Sequence, residues 1–134
     1  MDLFEAIKTR RSIRSFTEEP VSQEDMDRML EAAMCAPSAN NRQLWHFVVI
    51  RDREMLRKVA EVHPYAKMAA GAAAAVIICA DLNEEQTPGF WVQDCSAATQ
   101  NFMLAAQALN IGTVWCGLPP IEDRARPFRE IFQM

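Results

Sequence analysis

The chain has 134 residues, half of them hydrophobic and 24% charged, with a mean hydropathy of −0.12. That is the balance of one folded domain, and residues 1–134 are read as a single domain. Fourteen Lys and Arg against eighteen Asp and Glu leave a net charge of −4, which argues against nucleic acid as a partner. The longest apolar run, Ala72 to Ala80, is far short of the roughly 20 residues a membrane span requires, so no membrane partner is expected. The N-terminus has an acid at Asp2 and no apolar stretch typical of a signal peptide, so a cytoplasmic location is the expectation.

In chain order, residues 2–10 read as a helix with Leu3, Phe4 and Ile7 on one face and Lys8 and Arg10 at the end that favours cations. The stretch SIRSF is extended in character. Ser22 then caps a helix running to about Cys35, with Met26, Met29, Leu30, Ala33 and Met34 as its apolar stripe. Residues 36–44 carry loop chemistry. WHFVVI follows as a strand whose unbroken apolar run predicts burial on both faces.

Residues 53–62 predict a further amphipathic helix that stops near Pro64, and Tyr65 to Ala70 predict another turn or two. AAAAVIICA is a second buried strand, and Asp81 to Gly89 a loop. The longest helix spans about Phe90 to Asn110. Trp91, Cys95, Ala98, Phe102, Ala105 and Leu109 form one apolar stripe on it, and Ala97, Leu104 and Ala108 a second. A helix apolar around most of its circumference, in so small a chain, predicts cover by a second subunit. TVWCG reads as a third strand, and the end of the chain as a turn and short helix with Pro127 near the helix start. Strands far apart in sequence and mixed with helices favour an α/β or α+β sandwich over a meander.

Three segments carry candidate chemistry. In Arg10-Arg11-Ser12-Ile13-Arg14, an extended backbone puts Arg10, Ser12 and Arg14 on one face, and a helix also brings Arg10 to Arg14. Two guanidiniums and a hydroxyl suit a phosphate or an anionic ring; the plainer alternative is a solvated basic turn. Pro37-Ser38-Ala39-Asn40-Asn41, followed by Gln43, offers amides that both donate and accept, as reading a planar heterocycle requires. Ordinary turn chemistry is the alternative there. Gly112 to Gly117 either brings backbone N–H groups close to a ligand or is a buried strand bounded by glycines.

The cysteines form no CxxC pair, and His46 and His63 lie at no metal spacing, so neither zinc nor a disulfide framework is expected. Cys79 and Cys116 lie in apolar stretches and read as core thiols. Nothing in the pattern pairs either histidine with Cys116, so a thiol nucleophile has no support.

Together and in this order, RRSIR, PSANNxQxWHF and the long helix leading into TVWCG resemble the nitroreductase family of FMN-dependent oxidoreductases. The resemblance runs from residue 2 to about residue 120. It implies an α+β fold, a central mixed sheet flanked by helices, and an intertwined homodimer with FMN at the subunit interface. It places Arg10, Ser12 and Arg14, with Arg11 among them, at the FMN phosphate, ribityl chain and N1/O2 edge. Pro37, Ser38, Ala39, Asn40 and Asn41 match the loop that reaches the flavin, largely from the partner subunit. Asn41 is the position matched to the pyrimidine edge, with Gln43 supporting it. Cys116 and Gly117 match the backbone near flavin N5, where relatives often carry a Glu-Gly step, so Cys116 departs from the pattern.

The implied activity passes hydride from NADH or NADPH through flavin N5 to a nitroaromatic, quinone or similar acceptor, with ping-pong kinetics. No side-chain acid or base is required. Family chains continue past residue 134 into another strand and an extension that supplies a basic residue to the FMN phosphate, whereas this sequence stops at Phe132-Gln133-Met134. That departure motivates an alternative expectation, a flavin-binding or dimeric interaction module with little turnover.

Overall fold

The computed structural model describes residues 1–118 and 121–134, so the expected turn at Pro119 and Pro120 lies outside the described residues. Helix α1 spans Leu3–Thr9, α2 Gln23–Met34, α3 Arg53–Val62, α4 Trp91–Ala108 and α5 Glu122–Phe132; strand β1 spans Trp45–Ile50 and β2 Ala75–Ala80. Short 3-10 turns occupy Ala39–Asn41, Lys67–Gly71 and Leu82–Glu84. The first three helices begin where their caps dictate. Asp2, Ser22 and Asp52 each accept a backbone N–H three residues on, satisfying a donor that the helix itself leaves unpaired.

β1 and β2 pair antiparallel from Trp45↔Ala80 to Ile50↔Ala75. Period-two alternation sorts their side chains into two cores. Trp45, Phe47 and Val49, with Val76, Ile78 and Ala80, pack toward α2 and α4, where Met26, Met29, Ala33, Ala98 and Phe102 are buried. Val48, Ile50, Ala75 and Ile77 face the other core, built on Leu56, Val59, Ala69 and Phe128 of the α3 and α5 side. The result is an α+β sandwich in which the sheet is the middle layer. The expected central mixed sheet is here two antiparallel strands; the one parallel pairing among the described residues, Ser12↔Thr113, is an isolated bridge outside that sheet.

Several expectations need correction. TVWCG is not a third strand: only Thr113 bridges, because the Ser12–Ile13 backbone is its one ladder partner. Residues 110–116 and the Ala73–Ile78 edge of β2 instead line one cavity of about 720 Å³. Pro127 sits not near the start of α5 but at its sixth position. The proline removes the donor that would meet the Asp123 carbonyl, and that residue is exposed, so water can replace the lost bond. β1 is fully buried only at Trp45 and Ile50, with His46 exposed and the middle residues half-buried. Leu3, Phe4 and Ile7 do share a face of α1, but that face is exposed and Ala6 alone is buried. Along α4 the first stripe is buried at Cys95, Ala98 and Phe102, whereas Ala97 and Leu104 of the second are half-buried and Ala108 exposed.

Candidate functional site

The basic cluster leaves α1 in an extended path. Arg10 ends the helix with φ −56° and ψ 129°, its N–H still bonded to the Ala6 carbonyl. Ile13 N–H then donates to the Thr113 carbonyl at 2.9 Å. This pairing brings the backbones so close that a Cβ on Gly112 would stand 2.9 Å from Ile13 Cγ2. With Ile13 turned to Gly112, alternation sends Ser12 and Arg14 to the opposite side. Among the described residues, Arg10, Arg11 and Arg14 make no ion pair or side-chain hydrogen bond. Three guanidiniums within five residues repel one another, so leaving them without an internal acid favours an external anion.

The Pro37–Gln43 loop is built differently, with its backbone under load. Asn40, Asn41 and Gln43 all have positive φ, at 53°, 51° and 49°. Asn tolerates this left-handed region better than most residues, and Gln does so less. Such a cluster persists only where its surroundings hold it. Here Ala39 N–H donates to Asp94 Oδ1 at 3.0 Å, Gln43 N–H to Ser38 Oγ at 3.0 Å, and Asn40 Nδ2 to Thr87 Oγ1 at 2.8 Å. Gln43 Nε2 donates to Asn41 Oδ1 at 2.8 Å, which occupies the acceptor of Asn41 and leaves its Nδ2 donors for another molecule. Asn40 is thereby a structural tie, and Asn41 the presented amide.

Asp94 and His63, neither singled out by sequence motif, tie these segments down. Asp94 is 5% exposed, and its second carboxyl oxygen is buried without a partner among the described residues. His63 is 2% exposed. Its Nδ1 accepts the Tyr65 N–H at 3.0 Å, and its Nε2 lies 2.9 Å from the Gly117 carbonyl. The Cys116 thiol lies 3.8 Å from the Tyr65 carbonyl oxygen, toward which it donates. Burial raises the Cys116 pKa, while the charge of Arg14 pulls the other way, which puts that guanidinium within electrostatic reach of the Cys116–Gly117 segment. Hydrogen-bond pairing of this kind depends on the folded backbone, and no short-range pattern in the sequence encodes it.

The candidate residues therefore form two groups. Arg10 follows Thr9 at the C-terminal end of α4, where Gln107 Nε2 donates to Thr9 Oγ1 at 3.0 Å, and the Ser12↔Thr113 bridge joins this cluster to the segment that runs on to Cys116–Gly117 on the α3 side. The Pro37–Gln43 loop is fixed by Asp94 at the N-terminal end. Asp94 and Gln107 lie thirteen positions apart on α4, about 20 Å at 1.5 Å per residue. Within one chain the two groups do not meet.

The nitroreductase family model matches residues 7–70 and 60–134. A Methanothermobacter thermautotrophicus protein with the provisional name NADH dehydrogenase/NAD(P)H nitroreductase is 53% identical over 134 residues, all of this chain and 70% of the relative. The crystal structure of a Bacteroides thetaiotaomicron protein with the same provisional name superposes with a TM-score of 0.93 at 39% identity, covering 98% of this chain and 77% of the other. A provisionally named nitroreductase from Desulfovibrio desulfuricans, solved in complex with FMN, matches with a TM-score of 0.88 at 34% identity, covering 100% and 77%. The sandwich fold and these similarities converge: the chain belongs to the nitroreductase family.

Proposed function

We propose that this chain is an FMN-dependent NAD(P)H oxidoreductase whose site is completed by a second copy of itself. The observation that carries this reading is the Arg10–Arg14 cluster, three guanidiniums with no ion pair among the described residues, joined through the Ser12↔Thr113 bridge to the segment that leads into Cys116–Gly117. A flavin mononucleotide has the chemistry to match: a phosphate for the arginines and a planar ring edge for an amide. The FMN-bound relative from Desulfovibrio desulfuricans supports the same cofactor. Residues 1–134 act in this reading as one domain, in the cytoplasm, with no nucleic-acid or membrane partner; no helix among the described residues is long and apolar enough to cross a membrane.

When bound, FMN supplies the redox chemistry, accepting hydride from NADH or NADPH and passing electrons to a nitroaromatic, quinone or similar acceptor in ping-pong fashion. The protein's task is to bind, orient and set the field. Arg10, Arg11 and Arg14 hold the phosphate and the anionic ring edge, a fixed positive field that needs no rearrangement during turnover. Ser12 adds a hydroxyl on the Arg14 side. Asn41, with its carbonyl held by Gln43, directs its Nδ2 donors at the pyrimidine edge, while Pro37, Ser38, Ala39 and Asn40 shape the loop behind it. Cys116 and Gly117 present backbone to the reactive edge of the ring. Cys116 takes no part as a nucleophile, since burial disfavours its thiolate.

The separation of the two groups along α4 supports a homodimer. A two-fold axis across the midpoint of α4 lays the N-terminal end of one helix beside the C-terminal end of its mate. The exposed Leu3, Phe4 and Ile7 of α1 and the half-buried Leu104 of α4 supply apolar surface for such an interface.

The test is spectroscopic. The purified chain titrated with FMN should show flavin absorption that bleaches anaerobically with NADH or NADPH and returns with a quinone or nitrofuran. Arg14→Ala should weaken FMN binding by at least tenfold, the cost of one charge-assisted hydrogen bond. Unchanged flavin affinity in that variant rejects the site. Flavin binding without turnover favours the interaction-module alternative.

A further inference from the structure

Gly117 has no side chain, and a Cβ built on it would find nothing within 4 Å. Packing therefore does not fix the orientation of its peptide, and glycine is the residue whose backbone most needs an external constraint. The constraint present is a hydrogen bond to a ring buried on the α3 side. Tyr65 N–H can only donate, so His63 Nδ1 is an acceptor, the ring proton is on Nε2, and Nε2–H donates to the Gly117 carbonyl at 2.9 Å. The ring is held in turn by Phe128 of α5, edge-on with centroids 6.2 Å apart, and by Tyr65 at 6.4 Å. Next to this bond the Cys116 thiol points at the Tyr65 carbonyl. The short turn from His63 to Tyr65 thus grips two consecutive residues more than fifty positions away.

We propose that His63 is the positioning residue for the Cys116–Gly117 backbone. This rests on the reading that places the flavin's reactive edge against that segment. A trans peptide sets C=O and N–H on opposite sides of its plane. Fixing the Gly117 carbonyl on His63 therefore turns the Leu118 N–H away from the His63–Tyr65 turn and holds that peptide in one orientation. An apolar side chain of similar size would pack against Phe128 equally well but would offer no donor to the Gly117 carbonyl and no acceptor to the Tyr65 N–H. The imidazole satisfies both with one ring in one tautomer. Through Phe128 the same contact gives α5 a part in the site, although α5 contributes none of the residues expected to touch the cofactor.

Two conservative variants separate positioning from simple turn formation. His63→Gln reaches the Nε2 position and keeps a donor for Gly117; His63→Asn reaches the Nδ1 position and keeps only the acceptor for Tyr65 N–H. The first readout uses the protein without flavin: iodoacetamide labelling of Cys116, resolved by mass spectrometry, with exposed Cys35 as internal reference. The second is the absorption spectrum and midpoint potential of bound FMN. Positioning requires that His63→Asn raise the Cys116/Cys35 labelling ratio about tenfold, the loss of one hydrogen bond, and shift the flavin potential, while His63→Gln stays near wild type in both. A role confined to the turn gives the reverse order and overturns the proposal, as does a labelling ratio unchanged in His63→Asn.

If His63→Asn does not fold, nitrogen-15 NMR of the wild-type imidazole decides. A slowly exchanging Nε2–H tautomer upholds the clamp, and an Nδ1–H tautomer or a freely exchanging ring proton refutes it. A wild-type protein that takes up no FMN defeats the oxidoreductase reading, and the labelling ratio then still decides the clamp.

Discussion

Cys95 shows how far a residue's chemistry is set by its surroundings. Burial, with the nearby Cys79 and Asp94 adding to it, pushes its thiol from an ordinary 9.0 up to about 12. In the folded chain the proton is therefore held across a range in which the unfolded chain has lost it. Stability is fully present below pH 9.0 and falls as pH rises toward about 12, because the unfolded state alone ionises there. Melting temperatures from neutral to alkaline pH should fall less steeply in Cys95→Ala than in the wild type, whatever the baseline cost of the substitution. Equal slopes would assign the alkaline loss to other groups. The sequence marked Cys79 and Cys116 as core thiols, yet both are half-buried, and the most buried thiol is Cys95 on the long helix. Apolar neighbours in sequence indicate burial poorly when the strand itself is half-covered.

At the scale of elements, what local chemistry encodes was legible. The Ser22 cap starts α2 at Gln23, and the four-and-three spacing on α4 places Cys95, Ala98 and Phe102 in the core. The Pro-Ser-Asn loop was legible as a loop with presented amides, but not the positive φ of Gln43 or its tie to Asn41, which need Asp94 and Ser38 brought from elsewhere. TVWCG has the composition of a strand and lacks the partner that would make it one, since pairing is a property of two segments. The exposed face of α1 was legible as a stripe but not in its direction. The join between the Ser12–Ile13 and Thr113 segments depends on a missing side chain. Gly112→Ala drives a Cβ to 2.9 Å from the stiff, branched Ile13. The variant should lose about 1–3 kcal/mol of stability, the usual cost of overpacking, and bind FMN more weakly because the arginine segment moves. A calorimetric melt and a flavin titration check both. An unchanged melt would mean that the two backbones separate without cost.

For the whole molecule, the length of α4 is the governing dimension. It sets the start of the arginine segment at one end and the strained amide loop at the other, about 20 Å away. In the proposed homodimer, the exposed apolar face of α1 and the half-buried second stripe of α4 are the surface that a second copy would cover. The sequence points to the same proposed cover from the circumference of α4, because a helix apolar nearly all round needs burial on more than one side. It held no information on which groups share an end of that helix, since this depends on the turns that carry each segment back to it.

The central claim is that one flavin site draws Arg14 from one copy and Asn41 from another, and complementation tests it most directly. Arg14→Ala and Asn41→Ala chains carrying different affinity tags are co-expressed, and the mixed dimer is isolated by both tags. Each variant alone should retain little FMN. The mixed dimer has one site with both substitutions and one with neither, so it should recover about half of the wild-type flavin per dimer. A mixed dimer as poor in flavin as either parent would mean that both residues serve the same copy's site, and would contradict the claim.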